Sequence, residues 1–492
     1  MISFYQKLGV LGVLAFQPLL AVEFKDCYQV ESIQLPAGAP PEVGAIDFAP
    51  DGTLFVVLRR GDVFCAKPTE DPAKFDWQLF ASGFDNGCGI DVISRSKIRI
   101  TQMAELTEAE DLDGDGAADR FTRFAHGWGL SGNYHETNAL TRDGKGGYYI
   151  AVGTASYSGP TFEHTLGTFS PEGRRGRNYA AVKWKGWVLH CDSQGAITPF
   201  ASGFRMANGI YQDPAGELWS GDNQGDWKAA TPLYHIEKGK FYGHPNSLVW
   251  DPAFTKSKDP LAYYREHLDE YNVDRASAAV EIPHKEMNRS AGEPMQIPAG
   301  LPFAGQMILP DNNGTRVTRL MLEKVGGVWQ GACTHYINGK GLRSGNHRAR
   351  FSPDGKSLYL GQTVRGWGVP AEGLQRVRIL GPTPFDIDRI RIMPDGFKIS
   401  FTGSIPAALK DAAKWKISSS YYQSKWTYGS PPEKTKTHTP VITASDATSI
   451  TLRTDGLAPR RVFRFELPEC KAADGSPLQN KLAYYTVNAV PD

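Results

Sequence analysis

The chain has 492 residues, 41% of them hydrophobic, and 54 Lys and Arg against 53 Asp and Glu leave a net charge of +1. That length buries a large core and exceeds one ordinary compact domain, so one large and one small domain are expected. The balanced charge argues against nucleic acid or an anionic membrane as partner and points to a neutral small molecule.

The 52 Gly and 33 Pro, with 24 Phe, 20 Tyr and 11 Trp, describe many turns joined by short aromatic-rich strands, the composition of an all-β protein. At the start of the chain, Lys7 precedes a nearly uncharged apolar run over 8–20, and Ala21 suits a cleavage site. The run is shorter than the ~20 residues that span a bilayer. Residues 1–21 therefore read as a signal peptide, with a periplasmic or secreted product that does not span the membrane.

A strand, turn, strand unit then recurs: AIDFAPDGTLF from Ala45, ALTRDGKGGYY from Ala139, IYQDPAGELW from Ile210 and ARFSPDGKSLY from Ala349. In each, apolar alternation runs into an Asp-x-Gly or Asp-Gly turn that supplies positive φ, the pattern of a hairpin. Repeated hairpins over residues 25–382, at ~60 residues per unit, predict a six-bladed β-propeller. After Pro382 the spacing changes. Short alternating strands at 387–401, 449–453 and 461–465, with one candidate helix over 406–415, predict a small immunoglobulin-like β-sandwich over 385–492. The aromatic stretch 418–428, with Tyr421, Tyr422, Trp426 and Tyr428, is read as packing against the propeller rather than facing a sugar.

Asp111-Leu-Asp-Gly-Asp-Gly-Ala-Ala-Asp119 places Asp111, Asp113, Asp115 and Asp119 around one point, with Gly116 for the sharp turn. Hard oxygens at this spacing suit Ca²⁺, and the missing terminal Glu of an EF-hand implies a braced loop rather than a sensor. Six cysteines permit disulfides in an oxidising compartment, but no CxxC pair supports zinc, a redox motif or covalent haem. Electrons released by any oxidation must leave on a separate carrier, a cytochrome or quinone.

Downstream, GWGLSGNYHE over 127–136 forms a Gly-rich loop that carries His135 toward the strand at Ala139. In a propeller such loops line the channel mouth, where a neutral imidazole suits general base work. With the Gly turn and YYIAVG at 148–153 that follow it, this segment resembles the His-containing segment of the soluble quinoprotein glucose and sorbosone dehydrogenases. A second segment agrees. Gly203-Phe-Arg-Met-Ala-Asn-Gly-Ile, then GDNQGDW over 221–227, resembles that family's Arg-containing strand and the acidic, amide-rich loop after it. It departs where Met206 and Ala207 stand for Asn and Pro, with the amide displaced to Asn208. The same GWGxSGNYHE and GDNQGDW segments resemble a large set of exported proteins typical of planctomycetes.

The resemblance implies a cofactor, pyrroloquinoline quinone (PQQ), with Ca²⁺, and a carbohydrate substrate whose hydroxyl is oxidised. His135 is implied as the proton acceptor, and Arg205 as the partner of a PQQ carboxylate or quinone oxygen. Asn208, Asp222, Asn223, Gln224 and Asp226 would lie beside the cofactor and its calcium. Arg348 and Arg365, flanking the last hairpin, are further candidates for its carboxylates. Two other readings stay open: a metal-dependent hydrolase or lyase with Asp222, Asn223 and Asp226 as ligands, and a non-catalytic carbohydrate-binding module.

Overall fold

The computed structural model describes residues 21–131, 138–156, 165–364 and 371–492. His135, Arg365 and the apolar run over 8–20 lie outside the described residues.

The chain is mostly β, organised as four-stranded antiparallel sheets that follow one another in a propeller-like ring. All four hairpins read from the sequence form. Each is the inner pair of its sheet: Val43–Phe48 with Leu54–Leu58, Asn138–Arg142 with Tyr148–Val152, Gly209–Gln212 with Leu218–Gly221, and Asn346–Phe351 with Ser357–Gln362. The turn aspartates close them by one device. Asp143 Oδ1 accepts the amides of Lys145 and Gly147 at 2.7 and 2.8 Å, and Asp213 Oδ1 those of Ala215 and Glu217 at 2.9 and 3.0 Å. Such Asx turns satisfy amides that the ladder leaves open.

Two more sheets belong to the ring: Gly89–Ser94 through Arg120–His126, and Met295–Gln296 through Val328–Asn338. Counted along the chain, the sheets begin at Val43, Gly89, Asn138, Gly209, Met295 and Asn346. Inner strands of the first four sheets touch in succession, Met307–Pro310 of the fifth meets Asn346–Phe351 of the sixth, and Val43–Phe48 meets both Gly89–Ser94 and Asn346–Phe351, which closes the circle. The first strand, Tyr28–Ile33, then pairs antiparallel with Gly373–Ile379 as the outer strand of the last sheet. The two ends of the ring are thereby sewn together.

Beyond the ring, Ile387–Met393, Gly396–Phe401, Ser449–Arg453 and Val441–Ser445 form one sheet. A second, of Glu433–His438, Lys416–Tyr421, Arg461–Glu466 and Leu482–Val487, stands opposite. Phe397 fills the layer between them, its ring 5.1 Å from those of Phe463, Phe465 and Tyr485. This half is not a separate bead. Leu482–Val487 pairs with Val328–Asn338 of the fifth ring sheet, giving one eight-stranded sheet that covers an otherwise open edge.

The helix expected over 406–415 does not form. Two short 3₁₀ turns stand there instead, Ala407–Lys410 and Ala412–Lys414, parted at Asp411, whose carboxylate accepts the amide of Ala413 at 3.1 Å. An aspartate that caps a new turn ends the old one. The six cysteines are all unpaired thiols. Among the described residues no helix is long and apolar enough to cross a membrane.

Candidate functional site

The segments that lead into the inner strands, and those that leave the second strands, gather at one end of the ring around a cavity of about 240 Å³. The fourth sheet contributes Arg205, Met206 and Asn208 on the way in and Asn223 and Gln224 on the way out. The fifth contributes His284, Arg289 and Ser290, then Asn312 and Asn313; the sixth His347, then Thr363 and Val364. Arg59 leaves the second strand of the first sheet, and Ser156, Arg177 and Asn178 lie between Tyr148–Val152 and Trp187–Cys191 of the third. Among the described residues, four arginines and five asparagines line the wall, and no carboxylate does.

Arg205 is 6% exposed. Its Nε donates to Asp226 Oδ1 at 2.7 Å and its Nη1 to the Gln224 carbonyl at 3.3 Å. Burial alone would raise the Asp226 carboxyl, but Arg205 and His244, whose Nε2 lies 3.2 Å from Oδ2, outweigh it and hold that carboxyl well below the usual range. Gly225 makes the fit possible, since a Cβ there would stand 2.2 Å from the guanidinium carbon. Asn208 donates to the Ala291 carbonyl at 2.9 Å and to Asn223 Oδ1 at 3.3 Å, linking the fourth sheet to the fifth.

Three of the expected residues lie outside the cavity lining. Asp222 is fully buried and faces away from the cavity. Its carboxylate accepts the amides of Arg205, Met206 and Asn223 at 2.8, 2.7 and 2.8 Å and pairs with Lys228 Nζ at 3.1 Å. Asp226 stands behind Arg205, spent on it and on His244. The four donors on Asp222 occupy both of its oxygens, and neither carboxylate is among the groups that line the cavity. Arg348 is the third. Its Nε donates to the Cys88 carbonyl at 2.9 Å and its Nη1 to the Asn208 carbonyl, so it ties the second, fourth and sixth sheets together beneath the cavity.

Asp111, Asp113 and Asp115 each offer an oxygen within 4.8 Å of the others, in the turn between Glu105–Glu110 and Arg120–His126 on the outside of the second sheet. Asp119, whose Oδ2 accepts the amide of Leu112 at 2.8 Å, is not part of that cluster. No residue of that sheet lines the cavity.

Sequence reading missed Arg59, Arg177, Arg289 and His284, and read Tyr428 as packing against the propeller where it also lines the cavity. One signal was available: Arg59 follows Leu54–Leu58 just as Asn223 follows Leu218–Gly221, so the residue leaving each second strand was a candidate. His284 is held neutral. Burial, then the charges of Lys285 and Arg289, push its pKa down to about 4, and burial, then Arg316, does the same to His335. Unfolded histidine titrates near ~6.5, so between there and about 4 the unfolded chain binds protons that the folded chain refuses. Stability is therefore expected to fall as pH drops through that window. Urea midpoints at pH 7 and 4.5 check this, with His284→Gln and His335→Gln each shrinking the drop.

No family model matches the chain, and no curated protein matches it. Among solved structures, the PQQ domain of pyranose dehydrogenase from Coprinopsis cinerea matches with a TM-score of 0.50 at 13% identity, over 71% of this chain and 95% of that one. That likeness is one of fold. A PQQ-bound aldose sugar dehydrogenase from Streptomyces coelicolor matches at 14% identity over 72% of this chain and 98% of its own, TM-score 0.47. A putative glucose dehydrogenase from Thermus thermophilus matches at 17% identity over 72% and 100%, TM-score 0.48.

Proposed function

We propose that this chain is a PQQ-dependent dehydrogenase that oxidises a hydroxyl of a sugar or sugar alcohol in the periplasm or outside the cell. In this reading the ring is a six-bladed propeller, and residues 385–492 form the immunoglobulin-like sandwich expected from the sequence. The observation that carries the proposal is a cavity lined, among the described residues, by four arginines and a wall of amides. PQQ is a tricarboxylate with two quinone oxygens. Guanidinium forks match carboxylates in two-pronged geometry, and amides serve the neutral oxygens.

Arg205 is the best prepared of these donors, pinned through Nε by Asp226 and through Nη1 by the Gln224 carbonyl where it lines the cavity. Arg59, Arg177 and Arg289 supply the rest of the positive charge. PQQ, when bound, would supply the two-electron acceptor for the hydride of the carbinol carbon, and a separate cytochrome or quinone would carry the electrons away. His135, three residues ahead of the inner strand Asn138–Arg142, takes the hydroxyl proton in this reading. Ca²⁺ is assigned to Asp111, Asp113 and Asp115 as a brace on the outer hairpin.

The metal-dependent hydrolase with Asp222, Asn223 and Asp226 as ligands is not favoured, because of the three only Asn223 lines the cavity, while Asp222 is taken up by backbone amides and Lys228 and Asp226 pairs with Arg205 and His244. The test is reconstitution with PQQ and Ca²⁺, calorimetric titration, and dye reduction across a panel of aldoses and alditols. Tight PQQ binding with sugar-dependent dye reduction that His135→Ala abolishes is expected. Oligosaccharide binding with neither PQQ uptake nor dye reduction would sink the proposal in favour of a binding module.

A further inference from the structure

One wall of the cavity does not come from the ring. Tyr428 lies in the segment between Lys416–Tyr421 and Glu433–His438, strands of the C-terminal half, and yet lines the cavity beside Arg205 and Gln224. Its backbone is clamped to the loop leaving the fourth sheet. Trp227 N donates to the Lys425 carbonyl at 2.7 Å, Gly429 N to the Gly225 carbonyl at 2.8 Å, and Ser430 N to the Ala229 carbonyl at 3.2 Å. Gly429 turns there with φ +66°, and a Cβ on it would come within 2.8 Å of the Gln224 side chain. The segment is thus built to deliver one side chain to this place.

What Tyr428 meets is two cations from two sheets. The guanidinium carbon of Arg177 lies 4.6 Å from its ring centroid and that of Arg205 lies 5.3 Å away. An aromatic face attracts a guanidinium without neutralising it. A carboxylate in that position would hold the two arginines equally well, but would cancel their charge and compete with an anionic ligand. We propose that Tyr428 is a positioning residue of the cavity, through which the C-terminal half aims Arg177 and Arg205 at the carboxylates of the bound ligand. This rests on the reading of the cavity as a PQQ site.

The test is calorimetric titration of PQQ into the full chain with Tyr428→Ala, Tyr428→Phe and Arg177→Ala. Tyr428 is 54% exposed, so truncating it leaves the fold standing, and an unmoved thermal midpoint checks this. Loss of two ring contacts predicts a dissociation constant raised on the order of tenfold in Tyr428→Ala. Tyr428→Phe keeps the face and stays within about twofold of the parent. In the Arg177→Ala background the Tyr428→Ala effect shrinks, the sign of coupling. Parental affinity in Tyr428→Ala, or equal loss in Tyr428→Phe, overturns the proposal. If the parent chain takes up no PQQ, the cofactor reading fails by itself, and the same titrations use citrate as a tricarboxylate. Citrate binding that Tyr428→Ala weakens then upholds the positioning role, and no citrate binding overturns it.

Discussion

Replacing Arg205 with alanine is expected to abolish ligand binding in the cavity and to cost about 3 to 5 kcal/mol of stability. Both effects follow from one pair. Asp226 is buried and ionised because Arg205 sits 2.7 Å from it; without the guanidinium only His244 remains, 3.2 Å away on the other oxygen. An uncompensated carboxylate in that place pays its full desolvation. The pH dependence should change sign of slope accordingly. In the parent chain the depressed Asp226 carboxyl contributes stability that is present above ~3.9, the unfolded value, and is lost as pH falls through the lower folded value. In Arg205→Ala burial prevails and the carboxyl rises, so the deficit is largest at neutral pH and narrows on acidification. Urea midpoints at pH 7 and 4.5 read this directly. The double variant Arg205→Ala with Asp226→Asn separates the two losses, since it should regain part of the stability and none of the PQQ affinity. An Arg205→Ala chain as stable as its parent would show that Asp226 is not buried as described.

The ring was legible where its turns carry a local signal. Asp143-Gly144 and Asp213-Pro-Ala-Gly216 announce themselves because an Asx turn and a positive-φ glycine are both written in the residue types. The hairpin of Gly89–Ser94 with Lys97–Gln102 turns on Arg95 and Ser96 with no glycine, and the fifth sheet opens on a strand of only two residues, Met295–Gln296. Neither offers a periodic run long enough to read. In the site, the loop of Arg205, Asn208, Asn223 and Gln224 was visible because its residues are close in sequence. Arg59, Arg177, Arg289 and Tyr428 converge from sheets far apart in the chain, and only tertiary structure brings them together.

Arg348 shows a subtler limit. Its position at the start of an inner strand was read correctly, but not which way it points. The register of Asn346–Phe351 against Ser357–Gln362 shifts between Asn346 and Arg348. A bulge there turns His347 to the cavity and Arg348 inward to the Cys88 and Asn208 carbonyls. Strand alternation cannot be counted across a bulge that the sequence does not mark.

The same distinction between lining and holding decides Asp222, whose replacement by alanine is expected to cost about 4 kcal/mol or more. Its carboxylate collects three backbone amides, from Arg205, Met206 and Asn223, and thereby fixes the loop into the fourth sheet against the loop out of it. Behind it Lys228 is 1% exposed, with Nζ also donating to the Gly203 carbonyl and the Tyr234 hydroxyl at 3.0 Å each. Burial pushes the Lys228 pKa down, and Asp222 is the first of the groups opposing that. Without Asp222 the ammonium loses its counter-charge, so the deficit of Asp222→Ala should shrink as pH rises and the amine gives up its proton. Chemical denaturation at pH 7 and 9.5 measures that slope. Asp222→Asn with Lys228→Met removes the buried charge pair, and stability should return toward the parent because an apolar replacement of a buried pair is often close to neutral. Ligand affinity should not return with it. Asparagine offers one carbonyl oxygen where the carboxylate offered two, so the amides of Arg205 and Met206 lose their shared anchor and Arg205 loses its aim. A double variant that recovers stability and PQQ affinity together would assign Asp222 to the charge pair alone and remove it from the construction of the site.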